Sequence, residues 1–157
     1  MTGSLQDTPI AAMDSLTSTD SPTATSRQIR AATRGLTITN WVDAFNRRDL
    51  EGMLATLHPK IVFAPLRVEG IATKYKGHKG VREWFHSLDE HRHVHRIDFS
   101  GITHGPDGHF LATGTVTATE GYAIPFCGLY EFRGELILTA SHFYSRLGTM
   151  RPVSGLT

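Results

Sequence analysis

The chain has 157 residues, of which 39% are hydrophobic and 20% are charged, and its formal net charge is +1. This length and composition are typical of one globular domain, and the balanced charge argues against a nucleic acid or a membrane surface as partner. The single cysteine, Cys127, excludes an intramolecular disulfide bond. No apolar run is long enough for a signal peptide or a membrane span, so we expect a cytoplasmic protein.

The first 30 residues are rich in Ser, Thr, Pro and Asp. They carry too little apolar surface to offset the entropy that ordering the backbone would cost, so we predict a flexible extension over residues 1–30. The folded domain is predicted over residues 31–148, and a short C-terminal tail over residues 149–157.

Residues 40–63 predict two short helices and a strand. The first helix has an apolar stripe at spacings of three and four residues, formed by Ile38, Trp41, Val42 and Phe45. Asp49 stands at the N-cap position of a second helix, whose buried face consists of Leu50, Met53, Leu54 and Leu57. Pro59 then ends this helix, and residues 61–63 begin a strand.

A third helix follows, with an apolar face formed by Val81, Trp84, Phe85 and Leu88. After this helix the apolar period changes to two, and strands are predicted at residues 93–102, 110–119, 124–133 and 135–146. Three helices followed by a meander of antiparallel strands predict the α+β class.

Three motifs identify a family resemblance: FNRRDL at residues 45–50, YKG at residues 75–77 before the third helix, and the hairpin YEFRGELI at residues 130–137. Together they resemble the SnoaL-like branch of the nuclear transport factor 2-like superfamily, over about residues 34–147. The resemblance implies a cone-shaped, curved antiparallel sheet on three N-terminal helices, a cystatin-like α+β barrel. Because the superfamily contains isomerases, dehydratases, cyclases and binding domains, the fold alone does not decide the function.

The strand at residues 110–119 predicts how much room the cone leaves. Threonines occupy its odd positions from 113 to 119, and the even positions from 112 to 118 hold Ala112, Gly114, Val116 and Ala118. We expect the small residues to face inward, which would leave space for a ligand pocket. The alternative is that bulky side chains fill this space, namely Trp41, Trp84, Phe85 and Phe143.

Histidines alternate at the start of the first meander strand, at His91, His93 and His95. A zinc site would need a further fixed ligand, and the sequence supplies none, so we predict no metal. An imidazole has a pKa of about 6.5, which suits proton transfer at neutral pH. We therefore predict His95 as the general base, with His93 as second choice. Histidines without a special role are the alternative.

Three residues of the last two predicted strands also carry polar groups that can face inward. Tyr130 alternates with Phe132, so its hydroxyl is predicted to point inward, where it can donate to a substrate carbonyl or serve as a core residue. His142 and Tyr144 share one face of the last strand, unless a bulge reverses the alternation.

The resemblance also implies catalytic positions, and each known set is incomplete in this chain. The places of the ketosteroid-isomerase base and its two donor residues hold Ala64, Trp41 and Gly128. Asn46 stands where scytalone-dehydratase-like members have the Asp that pairs with a histidine. Tyr144 or Ser145 replaces the acidic residue of SnoaL-type cyclases.

We therefore predict a small-molecule enzyme of the cyclase, isomerase or dehydratase type that acts by proton transfer without a cofactor. Its substrate is expected to be apolar and carbonyl-bearing, polyketide-like or steroid-like. The predicted catalytic residues are His95, His93 and Tyr130, and the predicted substrate-binding residues are Trp41, Phe45, Phe63, Trp84, Phe85, Phe99, His142 and Tyr144. The competing hypothesis is a non-catalytic ligand-binding or dimerisation domain. A threonine-rich sheet face also predicts a symmetric homodimer.

Overall fold

The computed structural model describes residues 10–65, 74–91, 96–118, 121–144 and 151–152. Side chains are described within these ranges except at residues 10–24, 89–91, 122, 144 and 151–152. The chain divides into two compact units at residue 32. The fold and the site described below belong to the second unit.

Three helices precede or interrupt the strands: α1 (Ile10–Asn46), α2 (Leu50–Ala55) and α3 (Gly77–His91). Helix α1 begins well before residue 31, where the domain was predicted to start. The flexible extension over residues 1–30 stays a prediction, since residues 1–9 and the side chains of residues 10–24 lie outside the described residues. The tail over residues 149–157 also stays a prediction, since only residues 151–152 of it are described. Over the described part of the chain, none of the helices is long and apolar enough to cross a membrane.

The junction between α1 and α2 follows the predicted capping pattern. Asp49 is the N-cap of α2, and its Oδ1 accepts a hydrogen bond of 2.9 Å from the backbone N–H of Gly52. The helix ends earlier than predicted because the Thr56 hydroxyl and N–H both donate to the carbonyl of Met53. Leu57 therefore belongs to the first strand, and its buried side chain packs from the sheet.

The strands are β1 (Leu57–Ala64), β2 (Tyr75–Lys76), β3 (Arg96–His104), β4 (Phe110–Thr117), β5 (Tyr122–Arg133), β6 (Leu136–Tyr144) and β7 (Arg151–Pro152). Their order is β2-β1-β6-β5-β4-β3, with β7 beside β5. The predicted meander from β3 to β6 is confirmed, as is the α+β class with three helices on a curved sheet. The sheet is mixed because β6 runs parallel to β1. It is unclosed, with β2 and β3 as its two edge strands.

The helix-covered face of the sheet carries the core. The predicted alternation in β4 is confirmed: Ala112 and Val116 are buried, whereas Thr113 and Thr115 are exposed. Large side chains are also buried on this face, as the alternative hypothesis expected of Trp41 and Trp84, and those with little exposure are Trp41, Phe45, Phe63, Trp84 and Tyr130. Phe143, by contrast, lies on the opposite face and is 48% exposed.

Candidate functional site

Two polar side chains meet on the helix-covered face of the sheet. Tyr130 of β5 and His142 of β6 share a hydrogen bond, with 3.1 Å between the hydroxyl oxygen and Nε2. The two residues are 0% and 5% exposed. Burying polar groups costs free energy unless they are paired, so this pair is distinct from the apolar packing around it. We call it the Tyr130–His142 dyad.

Aromatic rings surround the dyad on several sides. The imidazole lies edge-to-face with four of them, at centroid distances of 4.9 Å (Phe126), 5.1 Å (Phe63), 5.2 Å (Trp41) and 5.8 Å (Tyr130). Trp84 and Phe45 extend this aromatic cluster, since the ring of Trp84 is 4.6 Å from Phe63 and 5.8 Å from Phe45. The cluster offers flat apolar ring faces, and the polar group among them is the Tyr130–His142 dyad.

A glycine makes room for the dyad. Gly128 is the direct partner of His142 in the β5–β6 pairing, and Tyr130 follows two residues later on the same face. A Cβ atom on Gly128 would lie 2.6 Å from the Tyr130 hydroxyl oxygen and 2.7 and 2.8 Å from two of its ring carbons. The Tyr130 side chain thus lies over the bare backbone of Gly128, which places its hydroxyl beside His142.

Burial keeps both members of the dyad uncharged. It raises the pKa of the Tyr130 phenol far above its ordinary value and lowers the pKa of His142 to about 3. In one tautomer His142 Nε2–H donates to the Tyr130 oxygen, which leaves the Tyr130 O–H free for a ligand; in the other, the Tyr130 O–H donates to Nε2. The dyad can therefore offer a hydrogen bond to a ligand oxygen at neutral pH.

The structure brings together most of the predicted substrate-binding residues. Five of them belong to the aromatic cluster or the dyad: Trp41, Phe45, Phe63, Trp84 and His142. Phe99 lies at the margin, half-buried, with its ring 6.0 Å from that of Phe126. Phe85 is also half-buried, but its ring contact is with His86, away from the dyad. The side chain of Tyr144 lies outside the described residues.

The predicted catalytic residues can be placed only in part. Tyr130 points inward as predicted and forms the dyad. His93 and His95 lie outside the described residues, so their roles stay predictions. His91 was expected at the start of a strand, but it ends helix α3, and β3 begins only at Arg96. His91 therefore does not lie on a strand.

Asn46 has a different task from the one that the resemblance implied. Its Nδ2 donates to the carbonyl of Ile97 at 2.8 Å, and the Ile97 N–H donates to its Oδ1 at 3.0 Å. These are the two hydrogen bonds that a neighbouring strand would make with the edge strand β3. Within the described residues, the Asn46 side chain therefore binds the backbone of β3, with one hydrogen bond at Nδ2 and one at Oδ1.

A groove of about 350 Å³ lies beside this contact, between α1 and β3. Its polar lining includes Asp43, Asn46, Arg96 and Asp98, and Arg96 Nε donates to Asp98 at 2.9 Å. This groove is separate from the dyad, because neither Tyr130 nor His142 lines it. Over the described residues, no cluster of His, Cys, Asp and Glu side chains could hold a metal ion.

Sequence reasoning missed two parts of the site. Gly128 was noted only as a missing acid, although a glycine facing the core two residues before an inward tyrosine signals close approach. Phe126 was not singled out, although the same alternation places it on the inward face with Tyr130.

Solved structures share this fold. A protein of the NTF2-like group from Burkholderia pseudomallei is 22% identical, with a TM-score of 0.61 over 72% of this chain and 91% of that chain. A candidate polyketide cyclase from Xanthomonas campestris pv. campestris is 20% identical, with a TM-score of 0.58 over 74% of this chain and 93% of that chain.

A third neighbour, from Catenulispora acidiphila, has a ketosteroid isomerase-like fold and was solved in complex with trimethylamine. It is 16% identical, with a TM-score of 0.55 over 70% of this chain and 85% of that chain. At these identities the neighbours establish the fold alone. No curated protein matches the chain.

The family profile of the SnoaL-like domain matches residues 38–140. This match begins in the buried part of α1 and ends in β6, so it contains the aromatic cluster, Gly128 and Tyr130, and it stops two residues before His142. Because the match covers more than half of the chain and the solved neighbours are NTF2-like, the chain belongs to the SnoaL-like family.

Proposed function

We propose that the protein is a small-molecule enzyme of the cyclase, isomerase or dehydratase type, which acts by proton transfer without a cofactor on an apolar, carbonyl-bearing substrate. The Tyr130–His142 dyad carries this proposal, because it is a hydrogen-bonded polar pair held inside an aromatic cluster. A hydrogen-bond donor in a site without water stabilises a developing oxyanion much more strongly than the same donor in water.

The chemistry of the dyad suggests distinct roles for its members. Tyr130 would donate its O–H to the substrate carbonyl, and His142 would orient that hydroxyl by donating Nε2–H to the tyrosine oxygen. His142 is a weak base, because burial lowers its pKa to about 3. The base is therefore proposed to be His95, or His93 as second choice. The flat rings of the aromatic cluster suit a polyketide-like or steroid-like ring system.

Binding would require a ring to move, since Tyr130 is 0% exposed. The ring pair at the margin of the aromatic cluster is the nearest candidate, because Phe99 is half-buried and stacks on Phe126. A ligand that displaces Phe99 would reach the imidazole past Phe126, whose ring is 4.9 Å from that of His142.

The proposal is tested with 2-tetralone, a flat apolar ketone, by following deuterium exchange at its α-carbon in D₂O with NMR. Wild-type protein should accelerate the exchange above the buffer rate, and Tyr130→Phe should reduce the turnover number by about 100-fold or more. Tyr75→Phe is the matched control, because it removes a hydroxyl from a half-buried tyrosine outside the dyad. His95→Gln should also lose about 100-fold if the imidazole is the base.

A non-catalytic ligand-binding domain is the second candidate. One observation favours it: within the described part of the chain, no acidic side chain hydrogen-bonds to the dyad. Quenching of tryptophan fluorescence by 2-tetralone, combined with the exchange assay, distinguishes the two candidates, since both tryptophans belong to the aromatic cluster and Trp41 is 5.2 Å from the His142 ring. Saturable quenching that Tyr130→Phe weakens, without accelerated exchange in the wild type, would assign binding alone.

We also propose that the partner of this chain is a second copy, bound through the outer face, meaning the sheet face that the helices leave uncovered. This face exposes large apolar side chains: Leu111 (42%), Leu129 (37%) and Phe143 (48%), the first two of which are direct partners in the β4–β5 pairing. Such a patch on a sheet is typical of a protein interface.

Charge supports a second copy as the occupant. Exposed lysines lie at the β1–β2 edge of the sheet (Lys60, Lys74 and Lys76), while Asp107 and Glu131 lie toward β4 and β5. Rotating one copy by 180° about an axis through the apolar patch would bring the lysines of each copy toward the carboxylates of the other.

Light scattering at micromolar concentration should give the mass of two chains. Leu129→Lys should shift the mass toward one chain, whereas Leu36→Lys, at an exposed leucine of α1, should not. A mass of one chain for the wild type would refute the homodimer.

A further inference from the structure

A histidine bridges two carboxylates at the rim of the outer face. His109, just before β4, contacts Glu131 of β5 through Nε2 in a short hydrogen bond, and its buried Nδ1 lies 2.9 Å from Asp107 Oδ2, within ion-pair distance but without hydrogen-bond geometry. Glu131 is also held by the Thr139 hydroxyl of β6, which donates to Oε2 at 2.9 Å. We call Asp107, His109 and Glu131 the carboxylate–histidine cluster.

The cluster borders the apolar patch of the outer face directly. His109 precedes Leu111 by two residues and Glu131 follows Leu129 by two residues, so all four share the same face of paired strands. Because Leu111 and Leu129 are direct partners, a molecule that covers them would also reach the cluster. The side chain of His109 is 33% exposed and that of Glu131 is 44% exposed, so both are accessible to water in a single chain.

We propose that the carboxylate–histidine cluster is a proton-binding site that controls association of two copies through the outer face. The inference rests on the proposed homodimer. With His109 protonated, the cluster carries one net negative charge, since one cation faces two carboxylates; without that proton it carries two. Covering two uncompensated carboxylates costs more desolvation energy than covering an ion pair and one carboxylate.

The surroundings of the cluster determine in which direction pH acts. Glu131 and then Asp107 raise the pKa of His109. The hydrogen bond from Thr139 and then that from His109 lower the pKa of the Glu131 carboxyl, and the backbone N–H of His109 lowers that of Asp107. On the neighbouring elements, His104 of β3 stacks on the buried Phe110. Arg133, which ends β5, is exposed.

These shifts make the protonated histidine persist to higher pH than an ordinary imidazole would. Association is therefore strongest below the pKa of His109 and weakens as the pH rises through it. A protonated His109 would also attract the partner's lysines less, but those lysines are exposed, so water screens their attraction to the carboxylates. The desolvation of two carboxylates beside an apolar patch is therefore the larger effect.

The test measures the dimer dissociation constant by sedimentation equilibrium between about pH 6 and pH 9, a range chosen around the ordinary histidine pKa of about 6.5. We expect the dissociation constant of the wild type to rise about tenfold or more from the lowest to the highest pH. His109→Gln should abolish the rise, whereas His104→Gln should retain it. Because His109→Gln removes a ring from the turn, Glu131→Gln serves as a second variant that keeps the size of the side chain. It should move the rise to lower pH, since the larger cause of the raised pKa is gone.

The outcomes separate the two proposals. A wild-type dimer whose dissociation constant does not change with pH would overturn the control by the cluster and leave the homodimer standing. An equal loss of the rise in His104→Gln would also overturn it, because the proton would then bind elsewhere. A wild type that remains a single chain at every pH would overturn the homodimer, and with it this inference.

Discussion

Replacing Gly128 by alanine is the sharpest test of how the site is built. The substitution adds one methyl group at a residue that faces the core and lies opposite His142 in the β5–β6 pairing. Gly128 does not adopt a positive φ, unlike Gly108 or Gly134, so alanine can take up its backbone conformation. Any effect must therefore come from the contact between the new methyl group and Tyr130.

The size of the effect follows from the distances. The Cβ would lie 2.6 Å from the Tyr130 hydroxyl oxygen and less than 3 Å from two ring carbons, all closer than side chains tolerate. The ring is enclosed by the aromatic cluster, so it can move only by disturbing Trp41, at 6.3 Å, or His142. Overpacking costs about 1–3 kcal/mol and an unpaired buried hydroxyl or imidazole a similar amount, so we expect a loss of about 2–6 kcal/mol.

Urea denaturation measures this loss, and a second substitution shows its origin. Gly128→Ala combined with Tyr130→Leu should lose much less than the sum of the two single variants, because the smaller side chain leaves room for the methyl group. Gly35→Ala is the control: nothing lies within 4 Å of its added Cβ, and we expect a gain of about 1 kcal/mol from helix propensity. Gly128→Ala with wild-type stability and an intact His142 NMR signal would refute the close packing of Tyr130 on Gly128.

Three further predictions concern pH and the N-terminal segment. Because burial lowers the pKa of His142 to about 3, its neutral form resists protonation, and the free energy of unfolding should fall by about 1.4 kcal/mol per pH unit below about 6.5. Urea denaturation at several pH values should show this slope for the wild type and not for His142→Leu, and equal slopes would contradict it. The contribution of the carboxylate–histidine cluster to stability should be greatest between about pH 4.5 and 6.5: it is lost as the pH rises through the raised pKa of His109, and as the pH falls through the lowered pKa values of its carboxyls. Comparing the pH profiles of wild type and His109→Gln checks this, and parallel profiles would count against it. Deleting residues 1–30 should leave the melting temperature nearly unchanged, and a fall of many degrees by calorimetry would show that the segment packs.

Local patterns in the sequence predicted the helices and strands of this fold, because residues close together in the sequence determine where these elements form. The alternation of small residues and threonines in β4 gave the correct buried face, and the carboxylate of Asp49 gave the correct start of α2. The end of α2 was wrong by several residues. Leu57 fits the spacing of a helix face and of a strand equally well, and only the return of β6 beside β1 decides between them.

The features that could not be predicted from the sequence depend on contacts between residues far apart along the chain. The parallel contact between β1 and β6 joins residues about 80 positions apart, such as Leu57 and Ile137, and no local signal records it. The same holds for Asn46, whose amide bonds to Ile97, 51 residues later. Its neighbours in the sequence indicate only that it ends a helix.

The direction of a side chain in the candidate site could be predicted from its own strand. The contact between side chains of two strands could not. Tyr130 was placed inward by its alternation with Phe132, and His142 was named among the inward residues of the last strand. That the two would meet depends on which residue of β6 lies opposite Gly128. A bulge between Glu131 and Phe132 sets that register, and bulges leave no reliable mark in a single sequence.

The register that this bulge sets decides the contacts on both faces of the sheet. Tyr130 and Glu131 are adjacent in β5, so one points to the dyad and the other to the carboxylate–histidine cluster. A slip of one residue between β5 and β6 would reverse both, placing the hydroxyl in water and the carboxylate among aromatic rings. The hydrogen bonds on each face therefore stabilise the strand register that the hydrogen bonds on the other face require. The hydrogen bond from Thr139 to Glu131 fixes the strands on one face, and the hydrogen bond between Tyr130 and His142 fixes them on the other.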